Sequence, residues 1–364
     1  MLRFLAALSV VLFHLSFASW IEPTANVSTE FSEQIVAIGS PFRWGWTGVQ
    51  TFFVISGFVI AFSASGLRPA TFIRNRFLRL YPAVWICATI TLLVADWADN
   101  NPLGPYFRSL ILWPLPTWIS GVYWTLAVEM AFYAVVAAAI HLKIRIVTVG
   151  IALGLWSSIY WAFRCLDYIS GGHLEALFDL PQSPLGMITL LSSGCHFALG
   201  VLICSSLQAP PSRRIRALIS AIAFTAAIEV AATAKQYIDV QGGDYRDIWQ
   251  PMVIWGTSMA AFLCSVVFNG KVWGVLGGRA KLIRNLGLIT YPLYLVHHEL
   301  GVRVMEISSV FAPALSLLFG VFVVIGVAWI AMVAEGNLRR SLDAYLPGSM
   351  PSRDQAVTNR RAKP

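Results

Sequence analysis

An arginine and a histidine stand eleven residues apart in the opening stretch MLRFLAALSVVLFHLSFASW, as Arg3 and His14. On an α-helix that spacing is about three turns and about 16 Å of rise, so the two side chains share a face. The stretch is apolar and long enough to cross the hydrocarbon core of a bilayer, where an ionisable side chain costs roughly 2.5 kcal/mol or more. A membrane helix keeps such a residue when it faces a protein-lined or watery interior, and an imidazole held there can work as a general base. It can also serve as glue, donating to a carbonyl of a neighbouring helix. Both readings stand on this stretch alone, with catalysis by His14 the leading one.

Further stretches carry residue types suited to chemistry. Glu129 lies about two turns into an apolar span that begins VYWTLAVEMAFY. A carboxyl group there stays neutral unless paired, and it can orient a histidine or exchange a proton with one. A protonated glutamic acid bonding across helices is the plainer alternative. Arg74, Arg76 and Arg79 crowd into TFIRNRFLRLYP, read as a loop before a span, with Tyr81 and Pro82 at its mouth. Guanidinium forks suit phosphate because they give paired donors that stay charged. Ordinary decoration of a cytoplasmic loop, in contact with lipid headgroups, produces the same cluster. Ser56 and Gly57 come just before these arginines in GWTGVQTFFVISGFVIAFS, where small residues let helices approach or leave room for a ligand. In GLITYPLYLVHHELG, Tyr294 and His297 are three apart and Tyr291 and His298 seven apart, so each pair lies near one helix face. Tyr291, Tyr294 and His297 are candidates for the wall of a substrate channel.

Only membrane-crossing helices can bring these residues together. Hydrophobic residues make up 57% of the 364 and charged residues 12%, and the mean hydropathy is +0.68. That balance belongs to polytopic membrane proteins and excludes an ordinary soluble enzyme. Ten apolar spans are expected, at about 1–20, 46–63, 80–96, 121–141, 146–162, 186–205, 215–234, 250–268, 287–308 and 312–334. With the N-terminus inside, 20 of the 26 Lys and Arg fall on cytoplasmic connections, leaving Arg43, Arg108, Arg164, Lys235, Arg246 and Arg303 outside. The fold expected is therefore all-α, a polytopic membrane helix bundle of about ten transmembrane helices with both termini cytoplasmic. Residues 1–335 would form the transmembrane domain and 336–364 a polar, basic, disordered tail. The net charge of +8 then reflects membrane topology and contact with membrane lipids, and no nucleic-acid partner is indicated. Five cysteines show no metal or redox spacing, and HHE at 297–299 lacks the i, i+4 pair of a zinc helix, so no metal is expected.

Five pieces, in order, resemble the acyltransferase-3 family of integral membrane proteins. They are Arg3 and His14 as Arg-x10-His, FFVISGF at 52–58, Arg76-x-x-Arg79 followed by Leu-Tyr-Pro, Trp-x-Leu-x-x-Glu ending at Glu129, and Tyr291-Pro-Leu-Tyr-Leu-Val-His297. The resemblance covers about residues 3–335 and implies the membrane-only branch, without an appended esterase-like domain. It implies an enzyme of a bacterial inner membrane that takes an acyl group, most simply acetyl, from cytosolic acyl-CoA as donor. The acceptor implied is a hydroxyl of a cell-surface or exported carbohydrate or glycolipid. His14 would be the general base with Arg3 its partner, and Glu129 would fix the imidazole. Arg76 and Arg79 would meet the donor, with Arg74, Tyr81 and Ser56 completing that set. Two alternatives stay open: a proton-coupled transporter or exporter of a lipid or sugar using the same intramembrane His and Glu as a relay, and a same-family enzyme acting on a small molecule. Nothing in the sequence speaks to oligomeric state.

Overall fold

The computed structural model describes residues 1–22, 26–95, 101–171, 183–241, 243–268, 270–271, 274 and 277–345. These residues are helical throughout their regular structure and form a polytopic membrane bundle. In chain order the helices are α1 Leu2–Ser16, α2 Thr29–Gly39, α3 Thr47–Ala64, α4 Pro69–Val94, α5 Leu103–Leu110, α6 Trp124–His141, α7 Ile146–Ile169, α8 Gly194–Gln208, α9 Arg213–Gln241, α10 Trp249–Val267, α11 Ala280–Ile307 and α12 Pro313–Tyr345. Ten of these have 15 residues or more, in the order of the ten expected spans. Eight of the ten are long and apolar enough to cross a membrane.

The other two, α8 and α11, differ for physical reasons. The expected span at 186–205 is broken: a single turn at Pro184–Ile188 ends before α8, and Leu190 takes a positive φ of 57°. α8 itself, at 15 residues, rises only about 22 Å, less than the roughly 30 Å of a hydrocarbon core. Its residues from Gly194 to Leu202 are all buried, because α3 and α7 enclose it and keep it from lipid. α11 has ample length at 28 residues but carries Lys281, Arg284, His297, His298, Glu299, Arg303 and Glu306.

Two boundaries move. The basic stretch read as a loop is the first part of α4. Arg68 before Pro69 is extended, as a residue before proline prefers, and Pro69 starts the helix with its φ already set. Arg76 and Arg79 are thereby held on one helix face. α12, expected to end near 334, runs on to Tyr345 because NLRRSLDAY contains neither glycine nor proline. Its end is tied to α4 through Arg74–Asp343 at 2.5 Å and Arg79–Glu335 at 3.8 Å. The boundary drawn at 335 thus falls inside a helix, and the remaining tail, 346–364, lies outside the described residues.

Helices in lipid gain little from burying apolar surface, so close backbone approach carries much of their association. The crossing of α3 and α8 depends on it. A Cβ at Gly57 would stand 2.2 Å from the Phe197 carbonyl oxygen, and one at Gly200 2.0 Å from that of Val54. Gly57 is therefore a packing residue. Gly200→Ala is expected to cost about 1–3 kcal/mol through overpacking, read as a lowered unfolding midpoint in detergent; an unchanged midpoint would show that the crossing yields freely.

Candidate active site

α1 and α11 pack side by side and present their histidines to one another. The His14 ring lies between those of His297 and His298, with centroids 5.1 and 5.0 Å away. Hydrogen-bond partners assign the protons. His297 Nδ1 is 2.7 Å from the Tyr294 carbonyl, which only accepts, so that nitrogen carries the proton and His297 Nε2 a lone pair. His14 Nδ1 is 3.1 Å from that lone pair and 3.1 Å from the Val10 carbonyl. Facing two acceptors, it is the protonated nitrogen. His14 Nε2 keeps its lone pair, and among the described residues no hydrogen bond ends on it. His14 lines a cavity of about 700 Å³. A base with a free lone pair, backed by a second histidine that can accept from it, is equipped to take a proton from a hydroxyl.

At the other end of α1 the chemistry is cationic. Arg3 Nη2 donates to Ser56 Oγ at 3.3 Å, Ser56 Oγ donates to Glu129 Oε1 at 3.0 Å, and the Tyr133 hydroxyl donates to the same oxygen at 2.6 Å. Arg76 donates to Ser63 Oγ at 2.9 Å and lies over the rings of Phe72 and Tyr133; Arg79 lies 5.7 Å over the Tyr291 ring. Arg3, Arg74, Arg76, Arg79, Arg339 and Arg340 line a second cavity of about 670 Å³. The Nε–H groups of Arg3, Arg74 and Arg76 are buried without a partner among the described residues. Six guanidinium groups against the carboxyls of Glu129 and Asp343 leave this cavity with a positive lining suited to an anion.

A third space, a neck of about 60 Å³, shares lining residues with both. Arg3, Ser56, Arg79, Glu129 and Tyr291 border both the neck and the arginine cavity, while Val49, Phe53 and Tyr294 border both the neck and the His14 cavity. A space of that size between two larger ones suits a thin chain better than a bulky group.

The candidate residues divide between the two ends. Arg3, Ser56, Arg74, Arg76, Arg79 and Tyr291 stand at the arginine cavity or neck, Tyr294 borders neck and chamber, and His14 stands in the chamber. Three expectations are corrected. Glu129 is not beside His14: its carboxyl is bonded through Ser56 to Arg3 and borders the arginine cavity, away from the chamber that holds the imidazole; His297 fills that place. His297 is in turn fully buried rather than exposed in a channel wall, and its neighbour His298 borders the chamber, bonded to Glu299 at 2.9 Å and Ser19 at 3.3 Å. Tyr81 turns away from the arginines: its ring stacks on Phe77 and its hydroxyl donates to the Ile111 carbonyl at 3.2 Å.

Sequence reading passed over Tyr133, Arg339, Arg340 and His196, which is buried 2.8 Å from Glu229. Tyr133 follows Glu129 by four residues, a helical spacing that could have flagged it. Arg339 and Arg340 were hidden by assigning them to a tail. No spacing links His196 to Glu229, which lie on different helices. Among the described residues no cluster of three or more His, Cys, Asp or Glu is placed to hold a metal ion.

Residues 1–333 match the model of a family described as an acyltransferase domain. The chain is 25% identical to "Acyltransferase MdmB" of Streptomyces mycarofaciens, over 99% of this chain and 97% of that protein. It is 33% identical to "Exopolysaccharide production protein ExoZ" of Rhizobium meliloti (strain 1021), over 36% of this chain and 45% of that one. No solved structure matches the chain.

Proposed function

The chain belongs to the acyltransferase-3 family, which makes it a multi-pass membrane acyltransferase, and from that premise we propose that it carries an acyl group, most simply acetyl, from cytosolic acyl-CoA to a hydroxyl of a cell-surface or exported carbohydrate or glycolipid. The observation that carries this reading is the line of adjoining spaces from six arginines, through a narrow neck, to the free nitrogen of His14. CoA has a 3′-phosphate and a pyrophosphate at one end and a slender pantetheine arm ending in the thioester. Its phosphates suit the guanidinium groups that line the cavity, and its arm suits the neck. The carbohydrate acceptor draws support from the relative named for exopolysaccharide production. In this reading the arginine cavity faces the cytoplasm across a bacterial inner membrane, an orientation that the excess of Lys and Arg on those connections supports. An acyltransferase family leaves no call for the transporter alternative.

In the reaction His14 Nε2 takes the proton of the acceptor hydroxyl as its oxygen attacks the thioester carbonyl carbon. The tetrahedral intermediate collapses by breaking the carbon–sulfur bond, and the departing CoA thiolate takes the proton back from His14. The ester and free CoA are the products. While His14 is cationic, its Nδ1–H bond to His297 Nε2 becomes charge-assisted. Arg3, with Ser56 and Glu129, frames the neck where the arm would pass.

Two experiments bear on this. Membranes containing the protein should transfer label from radiolabelled acetyl-CoA into the surface-glycan fraction, and matched membranes lacking it should not; label absent from both would overturn the donor or the acceptor. His297→Leu removes the acceptor for His14 Nδ1–H. A hydrogen bond to a charged group contributes about 1.5–3 kcal/mol, so kcat should fall about 10- to 100-fold. His297→Gln, whose amide oxygen can accept, should recover part of it, and equal loss in both variants would show that His297 only fills space.

A further inference from the structure

The last turns of α12 carry charges that the transfer step does not use. Glu335, Arg339 and Asp343 follow one another at four-residue steps, so all three lie near one face of that helix, over about 12 Å of its axis. The two acids of this face are matched by arginines of α4: Glu335 is 3.8 Å from Arg79 and Asp343 is 2.5 Å from Arg74. Arg339 stands between them without a match. The stretch of α4 between those two arginines, RNRFLR at 74–79, offers it cations and no carboxylate. Arg339 is exposed, lines the cavity of about 670 Å³ and makes no hydrogen bond or ion pair among the described residues. Arg340, by contrast, is turned onto its own helix, donating to the Gly336 carbonyl at 3.3 Å and to Asn337 Oδ1 at 2.6 Å.

The cavity also has an order from deep to shallow. Arg3 and Arg79 border the neck, whereas Arg74, Arg76, Arg339 and Arg340 border only the wider cavity behind it. A donor whose thioester passes the neck has its pyrophosphate at the far end of the pantetheine arm and its 3′-phosphate beyond that, on the ribose. We propose that Arg339 recognises the 3′-phosphate of the donor from the α12 side of the cavity, an assignment that rests on the acyl-CoA reading above. A phosphate monoester carries close to two negative charges and three acceptor oxygens, so it can take paired donors from guanidinium groups on both helices at once. The flanking ion pairs prepare this contact, because they hold the helix that bears Arg339 against α4 before the donor arrives. The group recognised takes no part in the chemistry. Arg339 therefore sets donor choice and leaves the transfer step alone.

The test compares two donors that differ only in the 3′-phosphate, acetyl-CoA and acetyl-dephospho-CoA, with membranes containing wild type, Arg339→Gln or Arg214→Gln. Arg214 is an exposed arginine at the start of α9, outside the cavity, and its variant controls for the general charge of the protein. Wild type and Arg214→Gln should both show the lower KM for acetyl-CoA, by about 5- to 30-fold, less than a fully buried charge-assisted pair would give because Arg339 is open to solvent. Arg339→Gln should raise the KM for acetyl-CoA by most of that factor, with the KM for acetyl-dephospho-CoA held and kcat retained for both donors. KM does not depend on the amount of folded enzyme, so a partly unfolded preparation still decides. Equal KM for the two donors in wild type would overturn recognition of the 3′-phosphate. An equal rise for both donors in Arg339→Gln, no rise for either, or the same loss in Arg214→Gln would overturn the assignment to Arg339. Wild type that transfers from neither donor would instead refute the acyl-CoA reading on which it rests.

Discussion

His14→Ala is expected to lower kcat for acyl transfer by about 100- to 10,000-fold, the usual contribution of a placed general base. The size follows from the absence of a substitute. His297 is fully buried with Nδ1 committed to the Tyr294 carbonyl, and His298 is committed to Glu299 and Ser19. Neither can turn a free nitrogen onto the acceptor without breaking its own bonds. The substitution should leave the bundle intact, because α1 is also held by Val10, Val11, Phe13 and Leu15, all buried. Donor KM should move little, since the arginine cavity lies about 16 Å away along α1. Steady-state kinetics at matched protein level, with an unfolding midpoint for each protein, would check this. A variant with wild-type kcat would remove His14 from the chemistry.

The second large effect is expected at the arginines. Arg76→Lys combined with Arg79→Lys should raise the KM for acetyl-CoA about 10- to 1,000-fold, as charge-assisted bonds contribute about 1.5–3 kcal/mol each and lysine loses the paired geometry while keeping the charge. Lysine is preferable to alanine here because Arg79 is 3.8 Å from Glu335, a buried carboxyl that would otherwise lose its cation. The effect should fall on KM, with kcat at saturating donor nearly retained. A fall in kcat at constant KM would show that these arginines act at the chemistry or in folding and do not hold phosphate.

Much of this was readable from the chain before any coordinates. Hydropathy and the distribution of Lys and Arg disclose a helical membrane bundle, because a bilayer leaves few solutions for a spanning backbone. Arg3 and His14 are informative because both are costly in an apolar helix, and cost is visible in sequence. Partnership between helices is not. Glu129 looks like a partner for His14 by chemistry, yet depth in the bundle decides, and depth depends on how α6 is offset against α1. His297 was readable as polar and inward, but its choice of His14 over the channel rests on the register of α11 against α1. Arg339 and Arg340 were lost for another reason: polar composition after 335 resembles a tail, whereas contact with Arg74 and Arg79 keeps α12 helical to Tyr345.

The decisive measurement uses sealed vesicles and acetyl-CoA, which does not cross the membrane, supplied outside. In inverted vesicles, whose cytoplasmic arginine face is outward, labelled acetyl groups should appear on glycan trapped in the lumen. In right-side-out vesicles presenting the same glycan outside, no transfer should occur until the membrane is permeabilised. Equal transfer in both orientations, without permeabilisation, would contradict a donor that enters at the arginine cavity and reacts beyond the neck at His14.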